Sequence, residues 1–157
     1  MWYHISNPSK MHYSKQVVEA IFSTCSSVVV LDGPSWCGKT FLLHELQREG
    51  GQIVPFYLIV EKLVDNLRKG DYSRQSFIME LMKEGADHTI ICFDDIDLIL
   101  KGKPETQIEI ALLINTLTDA RKIVLAGIEI ADRCKNLMKY ISYHCYCDYY
   151  RYAPPKG

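Results

Sequence analysis

"VVVLDGPSWCGKTFLLHEL", residues 28–46, decides how the rest of the chain is read. Val28 to Asp32 is too short and too β-branched for a helix and predicts a buried strand. Leu42, Leu43 and Leu46 recur at helical spacing and predict a helix that Gly50 and Gly51 stop. Between them Gly33, Gly38, Lys39 and Thr40 fit GxxxxGK[ST], in the strand-then-helix setting that a phosphate-binding loop requires. Backbone N–H groups of such a loop wrap phosphates, and the helix start adds a positive dipole. The candidate ATP- or ADP-binding residues are therefore Gly33, Pro34, Ser35, Trp36, Cys37, Gly38, Lys39, Thr40 and Phe41. Lys39 is the candidate for the β/γ-phosphate charge and Thr40 for a Mg²⁺ ligand. The alternative is an ordinary strand-to-helix turn that contains GKT.

Upstream, Val17, Val18, Ile21, Phe22 and Cys25 form a helical stripe. Downstream a second strand is expected at about residues 52–58, and Pro55 inside it removes a ladder donor, which places that strand at a sheet edge. Val60, Leu63, Val64 and Leu67 predict an amphipathic helix ending near Gly70, and Phe77, Ile78, Leu81 and Met82 another before Gly85. A third strand is expected over residues 89–93, then a helix opened by Pro104 and carried by Ile110, Leu113, Ile114 and Leu117. Residues 122–127 read as a fourth strand, Ile130 to Ile141 as a last helical stripe, and "SYHCYCDYYRY" as an alternating fifth strand. Strand and helix take turns, so the expected architecture is one α/β domain over residues 1–157, a parallel sheet covered on both faces, with ligands beyond the carboxyl ends of the strands.

The composition is that of an ordinary globular domain, with 48% hydrophobic and 24% charged residues. No apolar run reaches the length of a membrane span, and the N-terminus lacks a signal-peptide layout, so a cytoplasmic protein with no membrane partner is expected. The six cysteines then read as thiols. Cys37 beside a helix start and Lys39 reads as a bystander thiol or a reactive one. "YHCYCDYY" tempts a zinc reading, but alternation on a strand would put Cys145 and Cys147 on one face and His144 and Asp148 on the other. The 18 Lys+Arg and 19 Asp+Glu balance, and the basic residues come in scattered pairs, so no strong intrinsic DNA-binding surface is expected.

"IICFDD" ends the third strand in two acids. Carboxylates there can hold the metal's water shell and polarise an attacking water, so Asp94 is assigned to magnesium and Asp95 to water activation, with Asp95 and Lys39 as the catalytic pair. Asp97 reads as a solvated cap. Lys39 and Asp94 lie 55 residues apart, room for an inserted strand and two helices, which favours the P-loop branch with an inserted strand and a catalytic acid.

Together these residues resemble the AAA+ core of the bacterial replication initiator DnaA and its relatives Hda and the helicase loader DnaC. "GPSWCGKTFLLHEL" looks like the Walker A segment and its helix, and "CFDDIDLILKGKPETQIEIALLINTL" like the Walker B acids, the turn after them and the long helix that follows. The similarity spans about residues 7–155. It implies an ASCE/AAA+ three-layer sandwich with a five-stranded parallel sheet of order 5-1-4-3-2, in which the strand carrying Pro55 is an edge. It also implies that residues 1–12 lie against adenine, with Ile5 and Met11 as contacts; the alternative is a tail packed on the core.

Departures from the family carry expectations of their own. After the fourth strand the family's sensor 1 places a polar side chain toward the γ-phosphate, whereas "LAGIEI" offers Gly127 and Ile128, with Glu129 the one candidate. "NLMKYISYHCYC" holds no arginine where a finger belongs, and Arg133 and Arg151 are out of register. The sequence ends after "YAPPKG", where the family's helical lid would begin, so an α/β core without a lid is expected, either of a minimal relative or of a piece of a longer protein. The resemblance implies a slow ATPase regulator or loader, a monomer or weak dimer alone, whose partner is an initiator, clamp or helicase. The competing readings are a nucleotide-binding module without turnover and a small P-loop kinase.

Overall fold

The computed structural model describes residues 3–6, 14–34, 39–54, 56–70, 72–84 and 89–151. Its elements run β1 (Tyr3–Ser6), α1 (Ser14–Ser23), β2 (Val28–Asp32), α2 (Lys39–Arg48), β3 (Gln52–Val54), α3 (Phe56–Lys69), α4 (Arg74–Glu84), β4 (Ile90–Phe93), α5 (Ile96–Leu100), α6 (Pro104–Leu117), β5 (Lys122–Gly127), α7 (Ile130–Arg133), α8 (Lys135–His144) and β6 (Cys147–Arg151). The sheet order is β1-β6-β2-β5-β4-β3, and every pair is parallel. The five predicted strands are β2 to β6, and they adopt the expected order 5-1-4-3-2. Outside them β1 adds a sixth strand, pairing Ile5 with Tyr149 and covering the β6 edge, whose bare N–H and C=O groups would otherwise face solvent or another chain. The side chains of β1 lie outside the described residues, as does Met11, so the adenine contact is untested.

Burial on both faces explains the unbroken apolar strands. Val28 and Val30 of β2 point into the core formed with α3 to α8, whereas Val29 and Leu31 point into the one formed with α1 and α2. Leu42, Leu43 and Leu46 of α2 are at most 1% exposed, and each such burial contributes roughly 1.5–3 kcal/mol. Among the described residues no helix is long and apolar enough to cross a membrane.

Two predicted strands shrink. β3 ends at Val54, and α3 begins at Phe56, because Phe56, Ile59, Val60 and Leu63 already form a buried i, i+3, i+4, i+7 stripe. The helical face is thus rotated from the expected one, leaving Val64 and Leu67 38% and 48% exposed. The edge position holds, with β3 paired to β4 alone, although Pro55 itself lies outside the described residues. Likewise residues 142–144 belong to α8 rather than to the last strand. The Leu137, Met138, Ile141 period carries the helix on, and the Cys145 N–H closes it on the Ile141 carbonyl at 2.8 Å.

Candidate nucleotide site

The carboxyl ends of β2, β5 and β4 lie side by side and define the site. At β2, Gly33 donates its N–H to the Gly127 carbonyl at 3.2 Å, tying the start of the glycine loop to the end of β5. Pro34 follows; Ser35, Trp36, Cys37 and Gly38 lie outside the described residues. The chain re-enters at the first turn of α2, where Lys39 is 4% exposed and its ammonium donates to the Gly33 carbonyl. Thr40 and Phe41 are exposed. A lysine held under a helix start by a loop carbonyl is a cation in place for an anion, and with Asp32 and Asp97 it is one of the buried charged side chains among the described residues.

Across from it, β4 delivers the acids. Asp94 is half-buried and accepts the Asp95 N–H on Oδ1 at 2.8 Å. Burial raises the Asp94 carboxyl above the usual range and the neighbouring Asp95 charge raises it further, which the Asp95 N–H and the Lys39 charge offset only in part. Two sequence-distant residues, Lys39 and Asp94, are therefore brought into one electrostatic neighbourhood. Asp95 is exposed and stands at φ 56°, in the left-handed region, as the N-cap of α5.

Asp97 corrects the reading of a solvated cap. It is fully buried, its Oδ1 accepts the Ile128 N–H at 3.0 Å, and its Oδ2 pairs with Arg133 Nη1 at 2.9 Å. Arg133 also reaches Glu129 Oε2 through Nε at 3.4 Å, so the arginine that seemed out of register is engaged within its own chain. Glu129, the sensor 1 candidate, stands at φ 49° and is mostly exposed. Arg151, at the end of β6, lies over the Tyr149 ring at 5.7 Å.

Two buried polar features were not singled out as site residues from sequence, the Asp32–Tyr149 pair and Gln107. Asp32, 5% exposed beneath the glycine loop, accepts the Tyr149 hydroxyl on Oδ2, and the same hydroxyl oxygen accepts the Ala131 N–H at 3.3 Å. Burial first and the Asp32 carboxylate second push the Tyr149 phenol well above its ordinary value. Gln107 is the other, 3% exposed on α6. Its sequence signal is that it shares one stripe with Ile110, Ala111 and Ile114, where an apolar residue would be expected. At the opposite, amino end of the sheet, Asp148 of β6 accepts the Thr24 hydroxyl at 2.7 Å and the Ser26 hydroxyl at 2.8 Å.

The donor set fits a magnesium nucleotide. Magnesium takes one or two protein oxygens and completes its shell with water and phosphate, and Thr40 and Asp94 offer a hydroxyl and a carboxylate beyond the carboxyl ends of β2 and β4, with β5 between them. Among the described residues no group of three or more His, Cys, Asp or Glu could hold a metal by itself.

Strand, glycine loop, helix and paired acids in this sheet order define a P-loop ATPase core. Residues 29–139 match the sequence profile of the ATPase family associated with various cellular activities, AAA, and the chain belongs to that family. Its fold is that of the DnaA core. Domain III of the Thermotoga maritima replication initiation protein DnaA superposes with a TM-score of 0.66 at 19% identity, covering 94% of this chain and 64% of that one. The structure of a DNA replication initiation factor gives 0.63 at 21%, covering 90% and 46%, and AMPPCP-bound DnaA from Aquifex aeolicus 0.54 at 21%, covering 88% and 44%. The chain therefore spans under two thirds of the length of these structures. No curated protein sequence matches it.

Proposed function

We propose that the chain binds ATP with magnesium, hydrolyses it slowly to ADP and phosphate, and acts through its nucleotide state as a regulator or loader in DNA replication. The observation that carries this reading is the buried Lys39 ammonium at the first turn of α2, donating to the Gly33 carbonyl beyond β2 on the same edge of the sheet where β4 ends in Asp94. ATP supplies the phosphoanhydride bond. The loop from Gly33 to Phe41 cradles the phosphates with the backbone N–H groups that follow Pro34, Lys39 balances their charge, Thr40 and Asp94 hold magnesium, and Asp95 orients and deprotonates the attacking water. The Aquifex aeolicus relative of the same fold was solved with AMPPCP, which supports a nucleotide at this place. The replication role rests on the DnaA-like fold, with an initiator, clamp or helicase as partner.

Alone, the chain is a monomer or weak dimer with low turnover. Arg133 is engaged by Asp97 and Glu129 of its own chain, which supports its not serving a neighbour's site. Lys39→Ala should weaken magnesium-ATP binding by about 1.5–3 kcal/mol, the loss of a charged hydrogen-bond partner, while folding survives. Calorimetry showing unchanged affinity refutes the loop assignment. Slow conversion of ATP to ADP without a phosphorylated acceptor separates the slow ATPase from a kinase and from a module without turnover. Sedimentation with ATP over a concentration series tests assembly: a stable ring whose rate per subunit climbs as it forms overturns the monomeric reading.

A further inference from the structure

We infer that Asp97 is a positioning residue for the nucleotide site, locking the turn after β4 and the turn after β5 into one register; this rests on the nucleotide reading above. Asp95 and Glu129 are the two non-glycine residues with positive φ among the described residues, at 56° and 49°. They occupy equivalent places: each is the N-cap of a short helix, α5 or α7, directly beyond one of two adjacent parallel strands. Left-handed backbone at a residue with a Cβ persists only when the surroundings hold it there. Neither N-cap makes a side-chain capping bond, so the restraint comes from elsewhere.

Asp97 supplies it. Two residues beyond Asp95, it takes the N–H of Ile128, the residue before Glu129, and pairs with Arg133, whose other edge reaches Glu129. Gly127 makes the approach possible, since a Cβ there would lie 2.6 Å from Asp97 Oδ1. Gly127 in turn accepts the Gly33 N–H, so the glycine loop joins the same chain of contacts. A buried ion pair is weak evidence for stability, because apolar residues of similar volume often serve as well. What this pair adds is geometry, holding two strained turns beside the phosphates.

The test uses the full chain and three readouts: turnover per folded molecule, the ratio of ATP to ADP affinity, and the melting midpoint. Asp97→Asn keeps the shape and the acceptor for Ile128 but removes the charge that orients Arg133, and Gly127→Ala pushes the carboxylate away. Each should lower turnover on the order of ten- to hundredfold, as expected for a sub-ångström to ångström misplacement of a reacting group. Each should also narrow the preference for ATP over ADP while leaving ADP affinity within about twofold, and Asp97→Asn with Arg133→Gln should be no slower than the slower single variant, since the two act through one contact. Should Asp97→Asn fail to fold, Arg133→Lys, which keeps charge but not the fork, takes its place with the same expectation. Both nucleotides weakening in step with the melting midpoint, with their ratio unchanged, overturns the inference. Lys39→Ala measured alongside separates the failures: no loss of ATP affinity there sinks the nucleotide reading itself, whereas a loss there with an unchanged ratio in Asp97→Asn sinks the positioning role alone.

Discussion

Replacing Gln107 by methionine isolates a buried cap that one helix provides for another. Helix α8 starts after Cys134, which makes no side-chain capping bond. The Gln107 Oε1 reaches across from α6 and accepts the N–H groups of Asn136 at 3.1 Å and Leu137 at 3.4 Å, two of the orphan donors of the first turn. Its Nε2 donates to the Leu100 carbonyl at 2.8 Å and the Arg133 carbonyl at 3.4 Å, fastening the ends of α5 and α7. Methionine has nearly the same volume, so little cavity forms and the loss reports the hydrogen bonds. Stranding buried donors and acceptors costs about 1–3 kcal/mol each, the two long contacts falling at or below the low end, and loss of a cap is typically about 1 kcal/mol. The expected total is about 2–4 kcal/mol, and at roughly 2–4 °C per kcal/mol for a domain of this size the melting midpoint drops about 5–15 °C. Urea unfolding followed by circular dichroism should show the midpoint moving with an unchanged slope. Gln107→Glu keeps an acceptor but sets a buried carboxylate against the Leu100 and Arg133 carbonyls, so at neutral pH it should lose at least as much as Gln107→Met. A loss below about 1 kcal/mol for Gln107→Met, within the range of ordinary surface changes, refutes the capping argument.

Other expectations concern the site and the core. Asp95→Asn should retain ATP while turnover falls about a hundredfold or more, since an amide cannot accept the water's proton, and Asp94→Asn should instead raise the magnesium concentration needed; intact turnover in Asp95→Asn defeats that division of roles. Tyr149→Phe strips Asp32 and the Ala131 N–H of their partner and should destabilise by about 1–3 kcal/mol in chemical denaturation. Because the folded phenol titrates above its unfolded value, that contribution is complete below the unfolded value and fades only as pH rises through the folded one, so the loss should be flat between about pH 6 and 9; a steep change there contradicts the assignment. Burial pushes the Cys134 and Cys147 thiols up to about 12, whereas Cys25 is exposed. At pH 8 a thiol of that kind is ionised to roughly one part in ten thousand, so a thiol-alkylating reagent followed by mass spectrometry should label Cys25 long before either, and equal rates in the folded protein would contradict the packing.

The alternation of strand and helix was legible in the sequence because it is periodic, and the glycine loop and the terminal acids because each is a local motif, whereas the order of the sheet followed only from the family resemblance. A β-branched run between a helical stripe and GxxxxGKT has one economical reading, and the 55-residue gap to "FDD" leaves room for the inserted edge strand that β3 proves to be. Boundaries were less legible where two periods overlap. Phe56 to Val60 satisfies a continuous apolar strand and the first turn of a helix equally well, and tertiary burial of Phe56 and Ile59 decides for the helix. β1 was hidden for a related reason, since four residues carry too little period to announce a strand without the β6 edge they complete.

The chemistry divides in the same way. Sequence by itself determined the strand, glycine-rich segment and helix in that order, the placing of Lys39, Thr40, Asp94 and Asp95 at their ends, and the α/β architecture, because those follow from spacing along one chain. Only the tertiary structure decided what Asp97, Gln107, Arg133 and the Asp32–Tyr149 pair do. Each is a polar group whose meaning lies in a partner on another element, 36 residues away for Asp97 and Arg133 and 117 for Asp32 and Tyr149, and no local pattern encodes such a partner. A buried charge is tolerable only where the fold delivers its counterpart, and that delivery is a property of the assembled sheet and its helices.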